Sequence, residues 1–268
     1  MNENNPTPPP TPPQLPPDST RGFTPPYVAP GRQPLGDNPT ERQSITGIAA
    51  AIESTLRQPR RVMFQLRQPG AGKLIAAMLF ISVVCSLIYG VIVGSFSGHE
   101  QWWAAPAKIA GGLLVSTVIC LPSLYIFACL SGSQARLVEI VGMVSGLLML
   151  MTILLIGFAP VAWLFSQSTN HVCWMGFLHL AFWSISTIFG MRFLAAAFVH
   201  SNARSNAGLG TWIVIFMLVA LQMSTALRPI VGRAETPLPT EKKFFLMHWI
   251  DCMNETDTNS PKRTRVID

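Results

Sequence analysis

The chain has 268 residues, of which 49% are hydrophobic and only 12% charged, and it carries a formal net charge of +6. Ordinary globular domains carry roughly 25% charged residues; here residues 74–199 hold only Glu100, Lys108, Arg136, Glu139 and Arg192. That excludes a water-soluble domain of this size. Most of the basic residues flank apolar runs, so the positive charge reads as topology signal and contact with anionic lipid heads, not as nucleic-acid binding.

Residues 1–43 form a proline-rich arm, with Pro8-Pro9-Pro10-Thr11-Pro12-Pro13 and Pro25-Pro26. Such a composition favours extended, solvated polyproline II and lacks the apolar content to build a core, so disorder is expected. The arm has no basic stretch followed by an apolar one, and no cleavable signal peptide is expected. Pro10-Thr11-Pro12-Pro13 fits the PxxP pattern that SH3-like grooves accept, although a flexible spacer explains the same residues.

The juxtamembrane segment covers 44–73. Ile45, Ile48, Ile52 and Leu56 recur at spacings of three and four, which predicts a short amphipathic helix capped by Ser44. Arg57, Arg60, Arg61, Arg67 and Lys73 follow, interleaved with Val62, Met63, Phe64 and Leu66. That mixture suits a segment lying on an anionic leaflet with its apolar side down; a plain linker is the simpler alternative.

A hydrocarbon core about 30 Å thick needs roughly 20 apolar residues per helix. The block 74–227 supplies five such runs, at about 74–93, 109–130, 137–158, 172–194 and 209–227. Gly90, Gly94 and Gly98 in the first run share one face and allow another helix to approach closely, as do Gly142 and Gly146 in the third. Trp102 and Trp103 read as an interfacial belt in a loop. Pro122 is expected to kink the second helix, and Ala159-Pro160 to end the third. The polar stretch 166–171 joins the third helix to the fourth.

The tail, 228–268, contains a run of apolar-leaning residues at 241–250 that is too short to span and suits the interface. Asn254-Glu255-Thr256 fits the glycosylation sequon, which matters only in a eukaryotic secretory setting. The excess of Arg and Lys before the first helix predicts a cytoplasmic amino terminus and, with five spans, an outward carboxyl terminus.

Candidates for chemistry are few. Ionisable groups inside a membrane are costly and mark functional suspects. Glu139 and Arg192 lie near the cytoplasmic ends of the third and fourth helices, at similar expected depth, and can form an ion pair. A structural pair or snorkelling ends is the plain reading, and a proton or ion relay the functional one. His179 and Gln222 are placed either to line a polar cavity or to bond a neighbouring helix. Arg228, followed by Pro229, reads as a helix stop with a snorkelling charge, or as a hydrogen-bonding lock on the polar loop 167–170.

No catalytic, cofactor-binding or metal-binding set emerges. The sequence has no Walker P-loop, HExxH, Gly-x-Ser-x-Gly or Rossmann fingerprint. His171 and Cys173 lack a third ligand at metal spacing. Cys85, Cys120, Cys129, Cys173 and Cys252 form no Cys-x-x-Cys and read mainly as small hydrophobes.

Leu121-Pro122-Ser123-Leu124-Tyr125-Ile126-Phe127 and the segment Leu221-Gln222-Met223-Ser224-Thr225-Ala226-Leu227-Arg228-Pro229 resemble segments of uncharacterised bacterial multi-pass membrane proteins. In those the second segment typically reads Gln-Met-Ser/Ala-Trp-x-Leu-Arg-Pro; Thr225 stands here at the tryptophan position. This resemblance implies a bacterial inner (cytoplasmic) membrane and brings no activity with it. Five helices behind a proline-rich cytoplasmic arm also look like the Yip1 superfamily in architecture, which implies a non-enzymatic trafficking-type membrane protein.

The expectation is an all-α, five-helix integral membrane protein acting as a scaffold or interaction protein without a cofactor. Its expected partners are the lipid bilayer, a cytoplasmic protein at the arm, and a second copy of the chain. The alternative is a small transporter or channel subunit with Glu139, His179, Arg192 and Gln222 along one polar path.

Overall fold

The computed structural model describes residues 35–97, 101–168, 172–200 and 207–226. Within them all regular structure is helical. Three short helices, α1 (Pro39–Arg42), α2 (Ile48–Arg57) and α3 (Pro59–Leu66), precede five long ones. These are α4 (Ala71–Ser97), α5 (Gln101–Leu130), α6 (Leu137–Ser168), α7 (Val172–His200) and α8 (Ala207–Ala226). Residues 1–34, Gly98, Arg228 and the interfacial run at 241–250 lie outside the described residues.

Four helices are long and apolar enough to cross a membrane, over Ala71–Ser95, Trp102–Leu130, Leu137–Ser168 and Trp174–Val199. The apolar part of α8, Gly208–Met223, is shorter. All five long helices are apolar on every side, which water does not tolerate. Phe80, Val118, Ile126, Leu164, Ile188 and Val214 are each more than half exposed. Side chains of that kind on the outside of a bundle require lipid as their solvent, so the chain is an integral membrane protein.

The helices outrun the apolar windows that mark them. Trp102 and Trp103, expected in a loop, belong to the first turn of α5, and Pro106 lies inside that helix. Pro160 was expected to end the third helix, but α6 continues through it to Ser168. In a bilayer a broken helix exposes several backbone groups to hydrocarbon, whereas a helical proline costs one hydrogen bond. Continuation is the smaller loss.

α6 sits at the centre, flanked by α4 and α7. α5 packs on the far side of α4, and α8 packs on α5. One core cluster fills the half nearest α3, around Ile140, Leu147, Phe193 and Met78. A second gathers Tyr89, Val93, Met151, Leu155, Ala159, Ala162 and Phe182 toward the other end. α8 is fastened by Trp212, which is 1% exposed and donates its indole N–H to the carbonyl of Cys120 at 2.9 Å. Gly208 lets α8 approach α5 at Phe127 and Ser131.

Candidate functional site

The most specific polar architecture lies where the arm joins the bundle. Residues 35–43, assigned from sequence to the end of the arm, form a turn and α1. The Asn38 side chain accepts the Thr40 amide at 3.1 Å, and Pro39 occupies the first helical position. Both are ordinary helix-start chemistry. Glu41, 6% exposed, accepts the Gly36 amide at 2.6 Å and forms an ion pair with Arg60 of α3, also at 2.6 Å. Gly36 has φ 96°, and a Cβ there would stand 2.6 Å from the Phe64 ring, so only glycine serves at this turn.

α3 then gathers the chain around itself. Arg61 donates to the carbonyls of Gln43 at 3.0 Å and Ser44 at 3.1 Å, and Gln65 donates to Gln43 at 3.1 Å. These carbonyls lie between α1 and α2 and need such donors. Val62, Met63 and Leu66 of α3 are buried. The helix packs against α4, α6 and α7, so its apolar side faces the bundle and not the leaflet. Ser44 does not cap α2. Gly47 takes that place, and the buried face of α2 is Ala51, Ser54 and Thr55, while Ile48 and Leu56 stay exposed.

The seat for this collar is Gly142 of α6. A Cβ at Gly142 would collide with the Leu66 side chain, so the glycine is the space Leu66 fills. One turn on, Gly146 receives Phe193 of α7, whose ring edge would stand 2.5 Å from an added Cβ. Gly90 is pressed against the backbone of Pro106 in α5, and Gly94 is buried on the same helix.

Glu139 pairs with Arg67 at 3.7 Å, not with Arg192. Arg67 directly follows α3 and is carried to Glu139 by the docking of that helix. Arg192 is exposed, and because α7 runs on to His200 it sits two turns from the helix end, deeper than Glu139. With side chains 37% and 15% exposed, the Arg67–Glu139 pair is worth about 1 kcal/mol or less.

His179 lies in the other half of the bundle. Its Nδ1 is 2.8 Å from the Tyr89 hydroxyl, with the rings edge to face at 5.7 Å. Tyr89 is 4% exposed. Sequence reasoning missed this partner, since nothing local links residues 90 positions apart. The available signal was a lone phenol at matching depth in an apolar run. Gln222 is exposed on α8. The four polar residues of the expected path therefore lie apart: Glu139 at the collar, His179 inside the opposite half, Arg192 and Gln222 on the outer surface.

No group of three or more His, Cys, Asp or Glu able to hold a metal occurs among the described residues. No family model, curated protein or solved structure matches the chain. The class that fold and sites define is an all-helical, multi-pass integral membrane protein with a collar docked on its central helix.

Proposed function

We propose that the chain is a non-enzymatic membrane scaffold, with five spans, that presents its proline-rich arm to a cytoplasmic protein partner. The observation carrying this reading is the unbroken path from arm to bundle. Leu35 and Gly36 root the arm, Glu41 ties α1 to Arg60, and Leu66 seats α3 in α6. An arm meant only as a loose tether needs no such root.

The remaining features of the reading agree with it. The 20 residues of α8 span about 30 Å, enough to cross. Arg42, Arg57, Arg61, Lys73 and Arg136 cluster at the collar end, which favours that end as the cytoplasmic side of a bacterial inner membrane and the carboxyl terminus as outside. Exposed Ile48 and Leu56 beside Arg57 suit contact with an anionic leaflet. The likeness to Yip1-type proteins remains one of architecture. A transporter needs Glu139, His179, Arg192 and Gln222 on one route, and their separation favours the scaffold.

Single cysteines at positions 30, 102, 168, 204 and 258, in a cysteine-free background, test this in sealed right-side-out vesicles. Impermeant maleimide is expected to label 102, 168 and 258 while sparing 30 and 204. Labelling of 30 and 258 from the same side removes the five-span reading and returns transport to the front.

A further inference from the structure

Buried hydroxyls in this bundle follow one habit. Ser82, Ser86, Ser116, Ser145, Thr152 and Thr187 each donate to a carbonyl three or four residues earlier in their own helix, at 2.7–2.9 Å. That is how a serine or threonine is satisfied without leaving its helix. Ser186 of α7 breaks the habit. It is fully buried, and its Oγ has no hydrogen-bond partner among the described residues.

His179 Nε2 shares that condition. Residue 186 is seven positions from 179, so both stand on the same face of α7, about 10 Å apart along the axis. The Tyr89 contact fixes the chemistry of the open nitrogen. If Nδ1 donated to Tyr89, both the phenolic hydrogen and the Nε2 lone pair would be unmet. If Tyr89 donates to Nδ1, only Nε2–H is unmet. The second arrangement leaves fewer buried groups without partners, so Nε2 carries the hydrogen and offers a donor.

From these two atoms we infer that the inner face of α7 between His179 and Ser186 is a ligand site, taking a neutral oxygen-bearing molecule that accepts from His179 Nε2–H and bonds the Ser186 hydroxyl. Two sources supply this chemistry: internal water, and the carbonyl of a lipid-soluble molecule. The walls are Tyr89 of α4 and Met151 and Leu155 of α6, with Phe182 of α7 stacked on Phe158 at 4.7 Å. An apolar surround of this kind makes an unmet donor costly and a seated oxygen strongly held. This goes beyond the scaffold reading and does not depend on it.

The sign of a mutational effect tests the site. Removing a hydroxyl that has no partner leaves stability equal or higher, whereas removing one bonded to a ligand lowers it. Ser186→Ala is expected to lower the melting temperature of the detergent-purified full chain, and Thr187→Ala, whose hydroxyl bonds its own helix, to lower it less. The double variant Tyr89→Phe with His179→Phe is likewise expected to melt lower than wild type. Unchanged or raised melting temperatures in both Ser186→Ala and the double variant overturn the site.

The source is read by NMR of 15N-histidine-labelled protein in nanodiscs. Magnetisation transfer from water to Nε2–H supports water, and transfer from the 13C carbonyl of co-purifying labelled lipid supports the lipid-soluble molecule. A Nε2–H with neither contact overturns the proposal independently of whether any variant folds.

Discussion

Gly90→Ala is expected to destabilise the bundle by about 1–3 kcal/mol, the cost of forcing a methyl group into packed structure. The added Cβ meets the backbone of Pro106, with its Cα in collision and its nitrogen at 3.0 Å. Backbone held inside a membrane helix does not rotate aside, so α4 and α5 must separate. Gly142→Ala is the instructive contrast. Its Cβ collides only with the end of the Leu66 side chain, which turns away by a rotamer change. Alanine also favours the helix over glycine by about 1 kcal/mol at either position. Gly142→Ala should therefore fall within about 1 kcal/mol of wild type, while Gly90→Ala shows a net loss. Thermal unfolding in detergent ranks the two, and the reverse order contradicts the packing described here.

Glu41→Ala is the second large effect, and it is expected to be local. The substitution strips the Gly36 amide of its acceptor and leaves Arg60 without its carboxylate. Breaking a buried pair from one side costs about 3–5 kcal/mol. α1 is a single turn and cannot hold that much stability of its own. The cost is met by undocking α1, not by melting the bundle. Amide exchange over residues 36–42 should rise by orders of magnitude while the global melting temperature stays close to wild type. A global drop of several kcal/mol would show that α1 is integral to the bundle fold; unchanged exchange would show that Glu41 does not hold it.

The membrane class was legible because lipid imposes a simple length and composition rule, and the apolar runs obey it. Helix ends were not. The apolar window marks where hydrocarbon begins, whereas the helix stops where backbone groups first find other partners. Trp102 at the start of α5 and Pro160 within α6 mark that difference.

The collar was less readable still. Its key residue, Glu41, is a lone acid at the end of a proline-rich arm, and the buried face of α2 is made of Ala51, Ser54 and Thr55. Small and polar residues give no hydrophobic period, so the visible stripe of Ile48 and Leu56 pointed at the wrong face. Glycine spacing did mark Gly142 and Gly146 as places of close approach. It carried no information on what approaches, and Leu66 came from a segment read as lying on lipid. The ion pair was misassigned for a related reason: depth was judged from the end of an apolar run, and α7 continues past it to His200.

The docking of α3 on α6 is the claim on which the scaffold reading rests. Leu66→Cys with Gly142→Cys in a cysteine-free background measures it directly in native membranes. The Leu66 side chain fills the space above Gly142, so the paired thiols should come within the short Cβ separation a disulfide needs. Rapid, near-complete cross-linking under mild oxidation, with none between Leu66→Cys and Gly157→Cys, is the result expected. Free thiols at both positions, with Leu66→Cys labelled by a lipid-soluble maleimide, would place α3 on the leaflet and contradict the collar.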